Sequence, residues 1–99
     1  MINVKEAAKA ATDFITSLYN THELINLSLE EVELSDNGEF WYITLGYTRP
    51  LKVLPPRNTA SALQGYLNQP TTEQVYKVIT VRSHDGEVTS MKIRAPIAA

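Results

Sequence analysis

The sequence contains no cysteine. Disulfides, thiolate catalysis and cysteine-ligated zinc or iron–sulfur centres are thereby excluded. Histidine is nearly as scarce, with His22 and His84 the two in the chain. They stand on different segments without HxxxH or HExxH spacing, so no metal site is expected and both read as turn residues. Glycine is sparse too, at four residues, and none builds a phosphate-cradling loop. No serine occupies a nucleophile elbow. No apolar run approaches the length that spans a bilayer. Glu6 and Asp13 interrupt the stretch where a secretory leader needs an apolar region, so a cytoplasmic chain without a membrane segment is expected. Basic residues are not in excess: nine Lys and Arg against eleven Asp and Glu leave a net charge of −2. A general phosphate-binding surface needs the opposite balance, so no nucleic-acid partner is expected.

What is present is an ordinary globular mixture, 43% apolar and 20% charged over 99 residues. That length makes one domain. Residues 1–94 are expected to form it, with a tail at 95–99.

The clearest element covers residues 4–19. Val4, Ala7, Ala8, Ala11, Phe14, Ile15, Leu18 and Tyr19 recur at helical spacing and make one apolar stripe. Asn3 followed by Glu6 fits a capping box. The alanines permit close approach to a sheet, and Phe14, Ile15 and Leu18 fill volume.

The remainder reads mostly as strand, with a weak internal repeat. Ser35-Asp36-Asn37-Gly38-Glu39 and Ser83-His84-Asp85-Gly86-Glu87 each precede a strand-like run. Each reads as a tight hairpin loop whose glycine takes positive φ. Two such hairpins predict a four-stranded antiparallel meander over about 27–34, 39–48, 74–82 and 87–94. The expected fold is α+β, one N-terminal helix packed on that sheet.

Loop length sets the register. Three-residue loops place Glu33 opposite Trp41, Glu31 opposite Ile43, Val81 opposite Thr89 and Ile79 opposite Met91. Trp41, Ile43, Leu45, Tyr47, Ile79, Val81, Met91 and Ile93 then face the helix. Val32, Leu34, Phe40, Tyr42, Thr44, Tyr76, Val78, Thr80 and Arg82 face away. Leu27 and Leu29 alternate out of phase with Val32 and Leu34, which a bulge at Glu30-Glu31 reconciles. A two-residue Asp85-Gly86 turn would flip the second hairpin.

Residues 49–73 are the irregular connection, with Pro50, Pro55 and Pro56 against a central strand. Ser61 to Leu67 has room for two turns of helix. Arg49, Leu51, Lys52 and Arg57 mix cations with apolar residues and make a candidate partner loop, or a plain loop packed on its own leucines.

Little in this pattern carries catalytic chemistry. His84-Asp85 are neighbours in a tight turn, where side chains seldom face each other. The carboxylates Glu30, Glu31 and Glu33 suit acid–base work if one is desolvated, but read first as an edge strand that charge protects from pairing. The aromatics are the better lead. Phe40, Tyr42, Tyr76, Val78, Val32 and Leu34 form an expected apolar patch on the face the single helix leaves open, and such patches mark interfaces. A homodimer or a protein partner is expected there, the alternative being that residues 49–73 fold over the patch and bury it.

The order helix, strand, strand, long connection, strand, strand resembles the cystatin-like or PepSY-like group of small α+β domains. Tyr76-Lys77-Val78, Gly86-Glu87 and Met91-Lys92-Ile93-Arg94 are similar to the ending of a bacterial group of this kind. The resemblance covers residues 3–94 and implies a cystatin-like roll with an inhibitory or regulatory role. The cystatin Gln-x-Val-x-Gly pattern is absent from Ser35–Glu39, so protease inhibition by that route is not implied. The expected function is a non-catalytic protein-interaction or regulatory module with no cofactor. The alternative is a small-ligand binder or enzyme with a site between helix and sheet, using Glu31, Glu33 or Tyr47.

Overall fold

The computed structural model describes residues 1–50 and 72–95. Its elements are α1 (Val4–Leu18), a 3-10 turn (Thr21–Glu23), β1 (Ile25–Leu34), β2 (Phe40–Pro50), β3 (Thr72–Arg82) and β4 (Val88–Arg94). The strands form one antiparallel sheet in the order β1-β2-β3-β4, with α1 against one face. This is the α+β arrangement that the helical stripe and the paired hairpins predict. Leu51, Lys52 and Arg57 of the expected partner loop, the 61–67 helix and most of the tail lie outside the described residues.

The helix begins where its backbone donors are satisfied. Glu6 N–H donates to Asn3 Oδ1 at 2.9 Å, and Asn3 N–H donates to Glu6 Oε1 at 3.1 Å. This is the reciprocal capping box, and each such cap contributes about 1 kcal/mol. Along the stripe, Ala7, Ala11 and Ile15 are fully buried. Val4 and Leu18, at the two helix ends, are instead 41% and 55% exposed. The small alanines seat the helix on Ile43 and Leu45 of β2 and Ile79 and Val81 of β3, all closed to solvent. Each such side chain contributes roughly 1.5–3 kcal/mol on burial. At the far end Tyr47 is buried beside Tyr19, their rings 6.3 Å apart and tilted by 41°.

The first hairpin departs from the expected register by one residue. Ser35 N–H donates to Phe40 O at 2.8 Å, so the loop is the four residues 36–39. Side chains set this length. Asn37 Oδ1 accepts from Glu39 N–H at 3.0 Å, and Ser35 Oγ accepts from Phe40 N–H at 3.0 Å. Gly38 takes φ +74°, a conformation costly to any residue with a Cβ. Leu34 therefore pairs with Trp41, Glu33 with Tyr42, Val32 with Ile43 and Glu31 with Thr44. The period-2 alternation of a strand turns this single step into an exchange of faces. Val32 and Leu34 stand on the helix side, and Glu31 and Glu33 on the other.

The bulge required by the leucine phases is present. The β1–β2 register shifts between Leu29 and Glu31, bringing Leu29 opposite Leu45 on the helix side. A second shift lies between Ile25 and Ser28, where Asn26 takes φ 54°. Asparagine tolerates that left-handed region better than most residues.

In the second hairpin Ile79 pairs with Met91 as expected, but Val81 pairs with Val88 rather than Thr89. Arg82 N–H donates to Glu87 O at 2.8 Å, closing a four-residue loop, and a bulge at Thr89 absorbs the difference. The helix-side assignment of β3 and of Met91 survives, with Val88 also packed against the core, whereas Ile93 at the end of β4 is 78% exposed.

β2 and β3 run two residues further than their expected ends. Arg49 pairs with Glu73 and Pro50 with Thr72, so both ends of the expected 49–73 connection are strand. Proline is tolerated there because it is the last residue of β2, where its missing N–H breaks no internal ladder. At the opposite end the two hairpin loops join. Ser83 Oγ donates to Gly38 O at 2.6 Å and Ser83 N–H donates to Glu39 O at 2.9 Å. Ile2 N–H donates to Ser83 O at 2.7 Å, and Trp41 Nε1 donates to Ile2 O at 3.3 Å.

Candidate functional site

The face away from α1 is built from cross-sheet rows. One runs Glu31–Thr44–Val78–Lys92, the next Ser28–Gly46–Tyr76–Arg94, and a third Glu33–Tyr42–Thr80–Ser90. β1 and β4 have one neighbour each, so their side chains form the flanks, while β2 and β3 form the floor. The rows border an open concavity of about 480 Å³ whose lining includes Glu31, Glu33, Tyr42, Thr44, Val78 and Arg94. Among the described residues no helix packs on this face.

Its electrostatics are polarised. β1 contributes Glu30, Glu31 and Glu33, and β4 contributes Lys92 and Arg94. The Arg94 guanidinium crosses the floor to pair with Glu31, and donates to Thr44 Oγ1 at 3.3 Å. Thr44 is buried, so that bond satisfies a hydroxyl with little access to water. Beside it, Gly46 leaves its space to two neighbours. A Cβ built there would meet Glu30 Cγ and Tyr76 Cε1, each at 3.0 Å. A tyrosine covering a strand glycine shields a backbone that lacks a side chain of its own.

This arrangement corrects the expected patch of Phe40, Tyr42, Tyr76, Val78, Val32 and Leu34. Phe40, Tyr42, Tyr76 and Val78 do lie together on the open face, each half-buried. Val32 and Leu34 are on the helix side, because the first loop is one residue longer than the three-residue turn that placed them. With them depart the apolar contributions of β1, and carboxylates take their place. The same step separates Glu31 and Glu33 from Tyr47, which is buried beneath α1. Burial pushes the Tyr47 hydroxyl above its ordinary range, and the neighbouring Tyr19 adds to the rise. The three groups named for a site between helix and sheet therefore do not share a face.

The histidines remain apart, His22 in the 3-10 turn and His84 in the β3–β4 loop. Among the described residues no group of three His, Asp or Glu is placed to hold a metal ion. Asp85, next to His84, is occupied by its own loop. It accepts from Arg82 Nε at 3.0 Å and Nη2 at 2.5 Å, and from Glu87 N–H at 3.1 Å. Those bonds, the Arg82 one first, hold its carboxyl down at about 2. Arg49, the described member of the partner loop, is ion-paired with Glu73 at the end of the β2–β3 ladder.

Lys92 and Arg94 were not among the expected site residues, nor was Thr44. The signal for the two cations is present in Met91-Lys92-Ile93-Arg94, whose alternation puts both on the face opposite Met91. Among the described residues no helix is long and apolar enough to cross a membrane. No family model, curated protein or solved structure matches this chain.

Proposed function

We propose that this chain is a non-catalytic protein-interaction or regulatory module that docks its partner on the open face of the sheet. The observation that supports it is the concave site itself, with an aromatic and aliphatic floor between an acidic and a basic flank. Aromatic and arginine side chains are the groups most enriched at protein interfaces. The polar flanks keep such a surface soluble when empty and give it orientation when filled. Glu31 and Glu33 are exposed, whereas acid–base work by one of a pair of carboxylates calls for a desolvated site.

The test is a titration of ¹⁵N-labelled chain, first with soluble extract of the source cells and then against its own rising concentration. Shifts and broadening are expected at Tyr42, Thr44, Tyr76 and Val78. They are expected to vanish in a Tyr42→Glu/Tyr76→Glu variant that keeps its circular dichroism. Changes confined to the helix side, or none under either condition, would overturn the reading.

A further inference from the structure

We infer that the occupant of the open face is a second copy of this chain, related by a two-fold axis parallel to the strands. This assignment, which rests on the docking reading above, comes from the direction of charge along the rows. The row Glu31–Thr44–Val78–Lys92 begins on an acid and ends on a base. The next row begins on Ser28 and ends on Arg94, and the bulge residue Glu30 brings an acid to its first end by reaching over Gly46 and accepting from Ser28 Oγ. Neither Glu30, Glu33 nor Lys92 takes part in an ion pair among the described residues.

Two such faces can meet about either of two in-plane axes. An axis along the strands preserves height and exchanges the flanks. Glu31 of each copy then faces Lys92 of the other, Glu30 faces Arg94, and Thr44 faces Val78. An axis across the strands sets carboxylate against carboxylate and cation against cation, which opposes docking. Only the first is charge-complementary. It also gives aligned sheets, whose packing distance of about 10 Å lets side chains from both faces interdigitate. On docking, the Arg94–Glu31 bridge within each chain opens, and each of its charges meets an opposite charge on the other copy.

The size of the face sets the strength. Four strands about 4.8 Å apart, taken over the seven residues of β4 where all four lie side by side, outline about 450 Å² per copy. A pair buries about 900 Å², at the low end for specific complexes, so the dimer is reversible and concentration-dependent. It also weakens with salt.

Sedimentation equilibrium of the full chain across a wide concentration range tests this. The wild-type mass is expected to double with concentration. Glu31→Lys and Lys92→Glu are each expected to weaken dimerisation at least about tenfold, since each sets like charges together. The E31K/K92E double variant is expected to regain a homodimer and to refuse exchange with wild type. An axis across the strands gives the converse, a double variant that pairs with wild type and not with itself. Lys92 is exposed and outside the ion pairs among the described residues, so K92E reads the interface with little effect on the fold.

A wild-type chain monomeric at every concentration, as when its own residues 51–71 occupy the face, overturns the second copy as occupant. So does a K92E variant that dimerises like wild type. If extract still shifts the open-face resonances of a monomeric chain, the docking reading stands and the self-pairing fails. If neither condition moves them, both fail.

Discussion

Arg94 on the last strand and Glu31 on the first are ion-paired across the full width of the sheet. Outer strands of a four-stranded sheet lie roughly 14 Å apart, so only long side chains reaching toward each other close that gap. The side chains are 36% and 49% exposed, and solvent screens much of their attraction. A double-mutant cycle of Arg94→Ala and Glu31→Ala, read by urea unfolding at a concentration where the chain is monomeric, is expected to give a coupling of about 0.5–1 kcal/mol. At about 1 M salt most of it is expected to disappear. A coupling that salt leaves untouched would mean that the pair acts through packing.

Asp85 makes stability depend on pH in one window. Its folded carboxyl titrates at about 2, held down chiefly by Arg82, whereas an unfolded aspartate titrates near 3.9. The folded state therefore resists protonation, and the group stabilises the fold fully above about pH 4. That contribution is lost as pH falls from about 4 through 2. Asp85→Asn is expected to destabilise at neutral pH and to flatten the stability curve over that window. Curves for variant and wild type that run parallel through it would rule this out.

Ser83 is 5% exposed and joins the two hairpin loops through the Gly38 carbonyl. Ser83→Ala removes that donor and leaves a carbonyl to find water. The expected loss is about 1 kcal/mol, or roughly 4–8 °C in melting temperature for a domain of this size. Thermal unfolding by circular dichroism checks it.

Gly46 is a site where a larger residue costs stability despite strand propensity. Alanine at an unobstructed strand position gains about 0.5–1 kcal/mol over glycine. Here the new methyl meets Tyr76 and Glu30, and Gly46→Ala is expected to destabilise by about 1 kcal/mol. In a Tyr76→Ala background the penalty is expected to vanish, because the exposed Glu30 arm is free to swing aside. A penalty that persists there would place the conflict with the backbone.

The local features were legible in the sequence, and the face assignment of β1 was not. Asn3 and Glu6 announce the helix start, and Ala7, Ala11 and Ile15 its buried stripe, because both depend on neighbours within a turn. The clash between the Leu27–Leu29 and Val32–Leu34 phases locates the bulge at Glu30-Glu31, where the register shifts, because two apolar runs on one strand must share a core. The first loop's length depends on bonds from Ser35 and Asn37, and on Ser83 arriving from a distant hairpin. A five-residue motif does not reveal which of its polar side chains is spent on its own backbone. That single residue of loop moved Val32, Leu34, Glu31 and Glu33 to the opposite faces. A surface expected to be apolar thereby became a charged one.

The meander order has a kinetic consequence. Each hairpin joins sequence neighbours through a four-residue loop, so either one can form early and alone. The β2–β3 ladder must instead wait for Pro50 and Thr72 to meet at the ends of a longer span. Lengthening that span with flexible residues costs about 0.6 kcal/mol per doubling. If the ladder forms at the rate-limiting step, that cost slows folding and leaves the unfolding rate almost untouched.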